Sequence, residues 1–230
     1  AASSETAGQP DYRTSRKAFR TASRVGALRR KELLLLARDP WLLSQTLMQI
    51  LYLIPPALLL WRDMGADAQG AVILAPVLVM AFGQLAGGLS WLTISGEDAP
   101  DLIATAPIDL KAAIRAKVEA VLMVIATVAA PFVIGMAFLS MTSAVAAAAA
   151  IAAASVSAII IQLWFKSTAR RSQFRRRQTA TKLATFSEAF SSIFWAAAAG
   201  FAAASSWFAL AFVALALATL WLTSLIKPRG

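Results

Sequence analysis

Along this chain, long apolar runs alternate with short polar connections. Six runs approach the roughly 20 residues that a helix needs to cross a bilayer: residues 42–61, 71–94, 118–139, 144–165, 186–205 and 207–226. The pattern predicts an all-α integral membrane protein with six transmembrane helices. Ahead of the first run lies RVGALRRKELLLLARDPW, Arg24 to Trp41. At helical spacing Val25, Leu28, Leu35 and Leu36 fall on one side of it, and Arg30, Lys31 and Arg38 on the other. A basic amphipathic helix of this kind lies in a membrane interface. Glu32 projects from the apolar side, and Arg29, three residues earlier, is its expected partner. Residues 1–23 are polar and read as a tail or linker. The division is therefore a 1–23 tail, a 24–40 interfacial helix and a 41–230 membrane domain.

Charge fixes the orientation. Nine basic residues precede the first run, from Arg13 to Arg38. The first connection has only Arg62, and the second has Lys111, Arg115 and Lys117. The third, Ser140-Met141-Thr142, has none. The fourth has seven, from Lys166 to Lys182; the fifth has none; the tail has Lys227 and Arg229. Rich and poor alternate at every step. Six spans with both termini in the cytoplasm satisfy the positive-inside rule throughout. The cytoplasmic loops are then 95–117 and 166–185. Trp41, Trp61, Trp91, Trp164 and Trp207 fall near the span ends, where aromatic belts form, while Trp195 and Trp221 lie deeper.

Small residues set the packing inside the lipid. Gly83-Gln84-Leu85-Ala86-Gly87 is a small-xxx-small motif, and the fourth and fifth runs carry SAVAAAAAIAAAS and WAAAAGFAAASS. Such residues let helix backbones approach closely. The motif reads as packing within the bundle, or as a dimer face.

Composition narrows the chemistry. The chain is 59% hydrophobic and only 15% charged, with 22 Lys and Arg against 12 Asp and Glu. That basic excess marks cytoplasmic loops rather than nucleic-acid binding. There is no Cys and no His. Disulfides, Cys or His metal sites, thiol nucleophiles and His bases are excluded. No GxxxxGK[ST] motif is present, so the chain holds no P-loop for ATP. The spans carry no mid-membrane Asp, Glu, Lys or Arg, and Glu119 and Glu188 sit near cytoplasmic ends. Proton relays need such groups, so proton coupling is disfavoured. Gln45 and Gln49, one turn apart, with Gln84 and Gln162, read as interhelical hydrogen-bonding groups or as polar points along a pathway.

The second connection is acidic: SGEDAPDLIATAPID, Ser95 to Asp109. Ser95 and Asp98 have capping-box spacing. Asp98 and Asp101 suit the first turns of a short helix through Ile103. Pro107 ends that helix, and Asp109 caps the next one, which runs into the third span. A short helix with a mixed acidic and apolar face is a docking element.

KELLLLARDPW before the first span, followed by GEDAPDLIATAPI between the second and third, resembles the permease subunits of ATP-binding cassette exporters of the type-two class. The likeness extends over nearly the whole chain after Arg24. It implies that Arg29, Arg30, Lys31, Glu32 and Arg38 belong to a connecting helix. It also implies that Glu97, Asp98, Asp101, Leu102 and Ile103 form a coupling helix docked on an ATPase. The ATPase would be a separate subunit holding ATP and Mg, with no cofactor on this chain. A second permease half or another copy would complete the pathway. The basic loop around Arg175-Arg176-Arg177 would contact anionic lipids or the same ATPase. That family often has re-entrant helices between its last two spans, and the fifth connection here is too short for them. The expected place is a bacterial inner membrane. A different expectation from the same residues is a membrane scaffold or sensor that docks a cytoplasmic partner without transport.

Overall fold

The structure, a computed structural model, describes residues 24–38, 68–95, 109–165 and 174–226, with isolated positions 40, 44, 47, 48, 51 and 55. Six helices make up the longer described stretches: α1 (Arg24–Arg38), α2 (Ala68–Ser95), α3 (Leu110–Leu139), α4 (Met141–Trp164), α5 (Phe174–Ala203) and α6 (Phe208–Ile226). Among the described residues, four stretches are long and apolar enough to cross a membrane: Gly70–Ile94, Leu110–Leu139, Met141–Trp164 and Phe208–Ile226. The predicted first span lies almost wholly outside the described residues. The predicted fifth span falls within α5, a 30-residue helix, except for its last two residues, which lie in the turn after Ala203. It is less apolar than the others because Glu188, Ser191 and Ser192 interrupt its alanines and phenylalanines.

The polar connections are shorter than the apolar pattern suggests. α5 starts at Phe174, so more than half of the basic loop is helix: Arg and Lys lower hydropathy without opposing helix formation. The third connection shrinks from three residues to Ser140 alone. Ser140 has extended backbone, φ −156° and ψ 113°, and closes both neighbours. Its N–H donates to the Met136 carbonyl, and its hydroxyl accepts from the Ser143 N–H. One residue thus satisfies a C-terminal carbonyl of α3 and an N-terminal N–H of α4. The α5–α6 turn places Ser205 in the left-handed region, φ 54°. There the Ser206 N–H donates to the Phe201 carbonyl and the Ser205 N–H to the Ala202 carbonyl, the paired bonds of a Schellman turn.

α2, α4 and α5 pack on one another most extensively, α3 lies against α4 and α2, α6 lies on α5, and α1 lies on α3. α4 contributes Ala144, Ala147, Ile151, Ala154 and Ala158 to the core, a stripe spaced three and four residues apart. The Gly83 and Gly87 seam turns inward. A Cβ at Gly83 would stand 2.7 Å from Ser192 Oγ, and one at Gly87 would stand 2.8 Å from Glu188 Oε2. This selects bundle packing over a dimer face: the motif is where α2 and α5 meet.

A second notch lies deeper in the same interface. A Cβ at Gly200 would come within 2.9 Å of the rigid Pro76 ring, whereas one at Gly135 meets nothing within 4 Å. Replacing both glycines by alanine separates the two effects. Gly135→Ala should raise the thermal midpoint in detergent, by helix propensity worth about 1 kcal/mol. Gly200→Ala should lower it through overpacking, which costs about 1–3 kcal/mol.

Candidate functional site

The polar side chains of the bundle gather at one end, where α1 meets the first turns of α3. Asp109 caps α3, its carboxylate accepting from the Lys111 N–H at 3.1 Å. The next turns carry Arg115, which is exposed, and Lys117 and Glu119, which are half-buried. Glu119 sits between two guanidiniums. Arg115 Nε, one turn before it, donates at 2.9 Å, and Arg29 Nε of α1 donates to the other oxygen. The bond to Glu119 raises the Arg29 pKa above its ordinary value, so the guanidinium stays charged.

This corrects the expected pairing. Arg29 does not reach Glu32; it crosses to α3. Glu32, only 5% exposed, accepts instead from Lys31 Nζ at 3.2 Å. Intrahelical spacing suggested Arg29, but a carboxylate of another helix competes for it. The packed face of α1 is also turned from the predicted one. Glu32 and Leu36 are buried, with Arg29 and Leu33 flanking them, while Val25 and Leu35 are exposed. Arg30 and Arg38 stay exposed as expected.

Lys117 ties α3 to the end of α2. Its Nζ donates to the Thr93 carbonyl at 2.7 Å. The last carbonyls of a helix lack intrahelical partners and carry the negative end of its dipole, so a lysine there satisfies both. α2 runs through Ser95. The expected coupling residues Glu97, Asp98, Asp101, Leu102 and Ile103 follow at once and lie outside the described residues. The residues on either side of them, Thr93 and Asp109, are therefore held by the bundle.

A second polar group sits further into the helices. Glu188 Oε1 accepts from Gln162 Nε2 at 2.6 Å, and its other oxygen lies over Gly87. This joins α2, α4 and α5 near the ends that carry the basic loops. Trp195 Nε1 donates to Ser157 Oγ at 3.0 Å, and Ser192 Oγ to the Met80 carbonyl at 3.3 Å. Gln162 thus serves as interhelical glue, whereas Gln84 is exposed on α2. Gln45 and Gln49 lie outside the described residues.

In the sequence Glu119 and Glu188 stand out only as end-of-span residues. Arg115 and Glu119 at i, i+4 were a visible signal for a pair, but nothing local points to Arg29, 90 positions away. Among the described residues, no group of three or more His, Cys, Asp or Glu gathers to hold a metal ion. The chemistry present is charge pairing and helix capping between helices. Comparison with protein-family models, with curated proteins and with solved structures gives no match.

Removing the Lys117 ammonium tests the α2–α3 tie. A hydrogen bond from a charged group is worth about 1.5–3 kcal/mol. Lys117→Met should therefore speed amide exchange in the last turn of α2 by roughly tenfold or more, with little change in the middle of α4.

Proposed function

We propose that this protein is the membrane-spanning permease subunit of an ATP-driven exporter, with six transmembrane helices behind an interfacial connecting helix. The carrying observation is that α1, a basic helix, is bonded to the base of α3 beside an acidic loop tied down at both of its ends. A force applied to that loop has a short path into the bundle. It runs through Lys117 to the end of α2, and through Asp109 and the first turns of α3 to Glu119 and α1.

The alternation of basic and neutral connections supports the topology, with both termini in the cytoplasm of a bacterial inner membrane. The loop residues Glu97, Asp98, Asp101, Leu102 and Ile103 offer carboxylates and two apolar side chains to a soluble ATPase, which supplies the ATP site. ATP binding brings two such subunits together, and α3 carries the movement into the bundle. The bundle then exchanges inward for outward access because the two arrangements bind the partner differently. A second permease set, as another copy or a joined half, closes the pathway. The resemblance of the connecting and coupling segments to type-two exporters points the same way.

The test is a pull-down from native membranes, with wild type beside Asp98→Arg plus Asp101→Arg. An ABC ATPase should co-purify with wild type and be lost from the charge-reversed protein. Glu119→Gln should keep the ATPase bound but weaken the dependence of ATP hydrolysis on the permease. Recovery of no ATPase with wild type would overturn the permease reading in favour of a scaffold. Equal recovery with both proteins would overturn the docking residues alone.

A further inference from the structure

One side of α3 carries a continuous stripe that changes character along its length. Lys111, Arg115, Val118, Leu122, Ala126 and Ala129 follow one another at steps of three or four residues, so they share a helical face. From Leu122 to Val133 this face is one wall of a groove of about 430 Å³ between α3 and α4. The other wall belongs to α4, and Ala126, Ala148, Ala152 and Val156 are exposed along the groove. The lining is aliphatic. Its one hydroxyl, on Ser155, is fully buried and offers the groove nothing polar.

The outer end of the stripe is cationic. Lys111 is exposed, and the Arg115 side chain is 74% exposed. Glu119 accepts from Arg115 Nε, but a guanidinium has five N–H donors and this bond uses one. The same carboxylate also serves Arg29, so the cluster keeps a positive charge. Asp109, the other carboxylate in these turns among the described residues, is engaged as the helix cap.

We infer that an anionic phospholipid of the surrounding bilayer binds here, with its phosphate on Lys111 and Arg115 and one acyl chain in the α3–α4 groove. Charge, depth and width carry this. Basic groups at the ends of membrane helices bind acidic lipid headgroups. Arg115 stands three residues, about 5 Å, before the predicted span begins at Val118, which is headgroup depth. The groove then runs for about 16 Å, close to the roughly 15 Å of hydrocarbon in one leaflet. That length and volume give a mean cross-section of about 26 Å². A helix about 10 Å across takes up roughly 80 Å². It would bridge the mouth and leave the floor without contacts, whereas a single extended chain reaches the floor. The inference needs only the membrane placement of α3 and α4 and stands apart from the proposed ATPase partner.

Photolabelling tests it. The full chain is reconstituted in phosphatidylcholine vesicles with a trace of phosphatidylglycerol that carries a diazirine midway along one acyl chain. Illumination should label the peptides of residues 122–133 and 148–156. Phosphatidylcholine with the same diazirine should label them about tenfold less. Lys111→Gln with Arg115→Gln should bring the two probes to within about twofold of each other. Ala126→Phe with Ala152→Phe fills the groove, keeps the cations and should abolish labelling of both peptides. Wild-type labelling decides the matter alone if a variant misfolds. Labelling of other helices without these two peptides would overturn the inference, because the groove would then be closed by another part of the chain or by a second copy. Equal labelling of wild type by the two probes would overturn the headgroup site. A preference for phosphatidylglycerol that survives loss of Lys111 and Arg115 would overturn it as well, and so would labelling that survives the filled groove.

Discussion

In lipid, apolar burial gives helices little reason to associate, and close contact between small residues takes over. In this chain that contact is the seam of α2 against α5. Gly83 and Gly87 have no side chain, and Ser192 and Glu188 use the space. Pro76 uses the space at Gly200 in the same way. The seam brings three helices together, because Glu188 then meets Gln162 of α4. The buried alanines of α4 finish the triad by letting it pack on both partners. The other helices are arranged around this group. α6, with only Ala216 and Thr223 buried, touches chiefly α5.

Polar groups follow the same economy of space. Hydroxyls inside helices mostly turn back onto their own backbone, which leaves the helix surface apolar. Most side chains that cross between helices do so near helix ends or beside glycines. Lys117 at the end of α2 is one such case, and Glu188 over Gly87 is another. Trp195, bonded to Ser157, is a mid-helix exception. The Arg115–Glu119 pair sits at the rim, with Arg115 largely exposed and Glu119 about one-quarter exposed, whereas Glu32, paired with Lys31, is buried. The rim pairs of Glu119 position α1 more than they stabilise the bundle, since exposed ion pairs are weak.

Much of the fold was legible in the sequence because apolar runs bounded by charge or proline leave few choices. The spans read at 71–94, 118–139, 144–165 and 207–226 lie within or closely match α2, α3, α4 and α6. The start of α5 was not legible. RRRQTATK has no apolar signal, and hydropathy reports lipid contact rather than helicity. The capping role of Asp109 was readable because a cap is local. The partner of Arg29 was not, because it depends on how two distant helices cross. Glu32 shows the same limit from the other side. Its position on the inward face was read correctly, and its nearest cation was not. The coupling residues and the outward face of α1 remain matters of function, argued from charge and from resemblance.

The unequal packing of the helices has a mechanical consequence. α2, α4 and α5 share interlocking small-residue contacts, so any movement among them must break close packing at several points. α3 is held less extensively, through one-residue linkage to α4 at Ser140, the Lys117 bond to α2 and the side chains between them. α1 rides on α3 through charged groups at the rim. A packed group responds to force as a unit, and displacement falls where contacts are fewest. Under the proposed function, a push on the acidic loop reaches α3 and α1 first, with Ser140 at the far end of α3. The Arg29–Glu119–Arg115 cluster sits toward the end of α3 away from Ser140, the end that follows that loop.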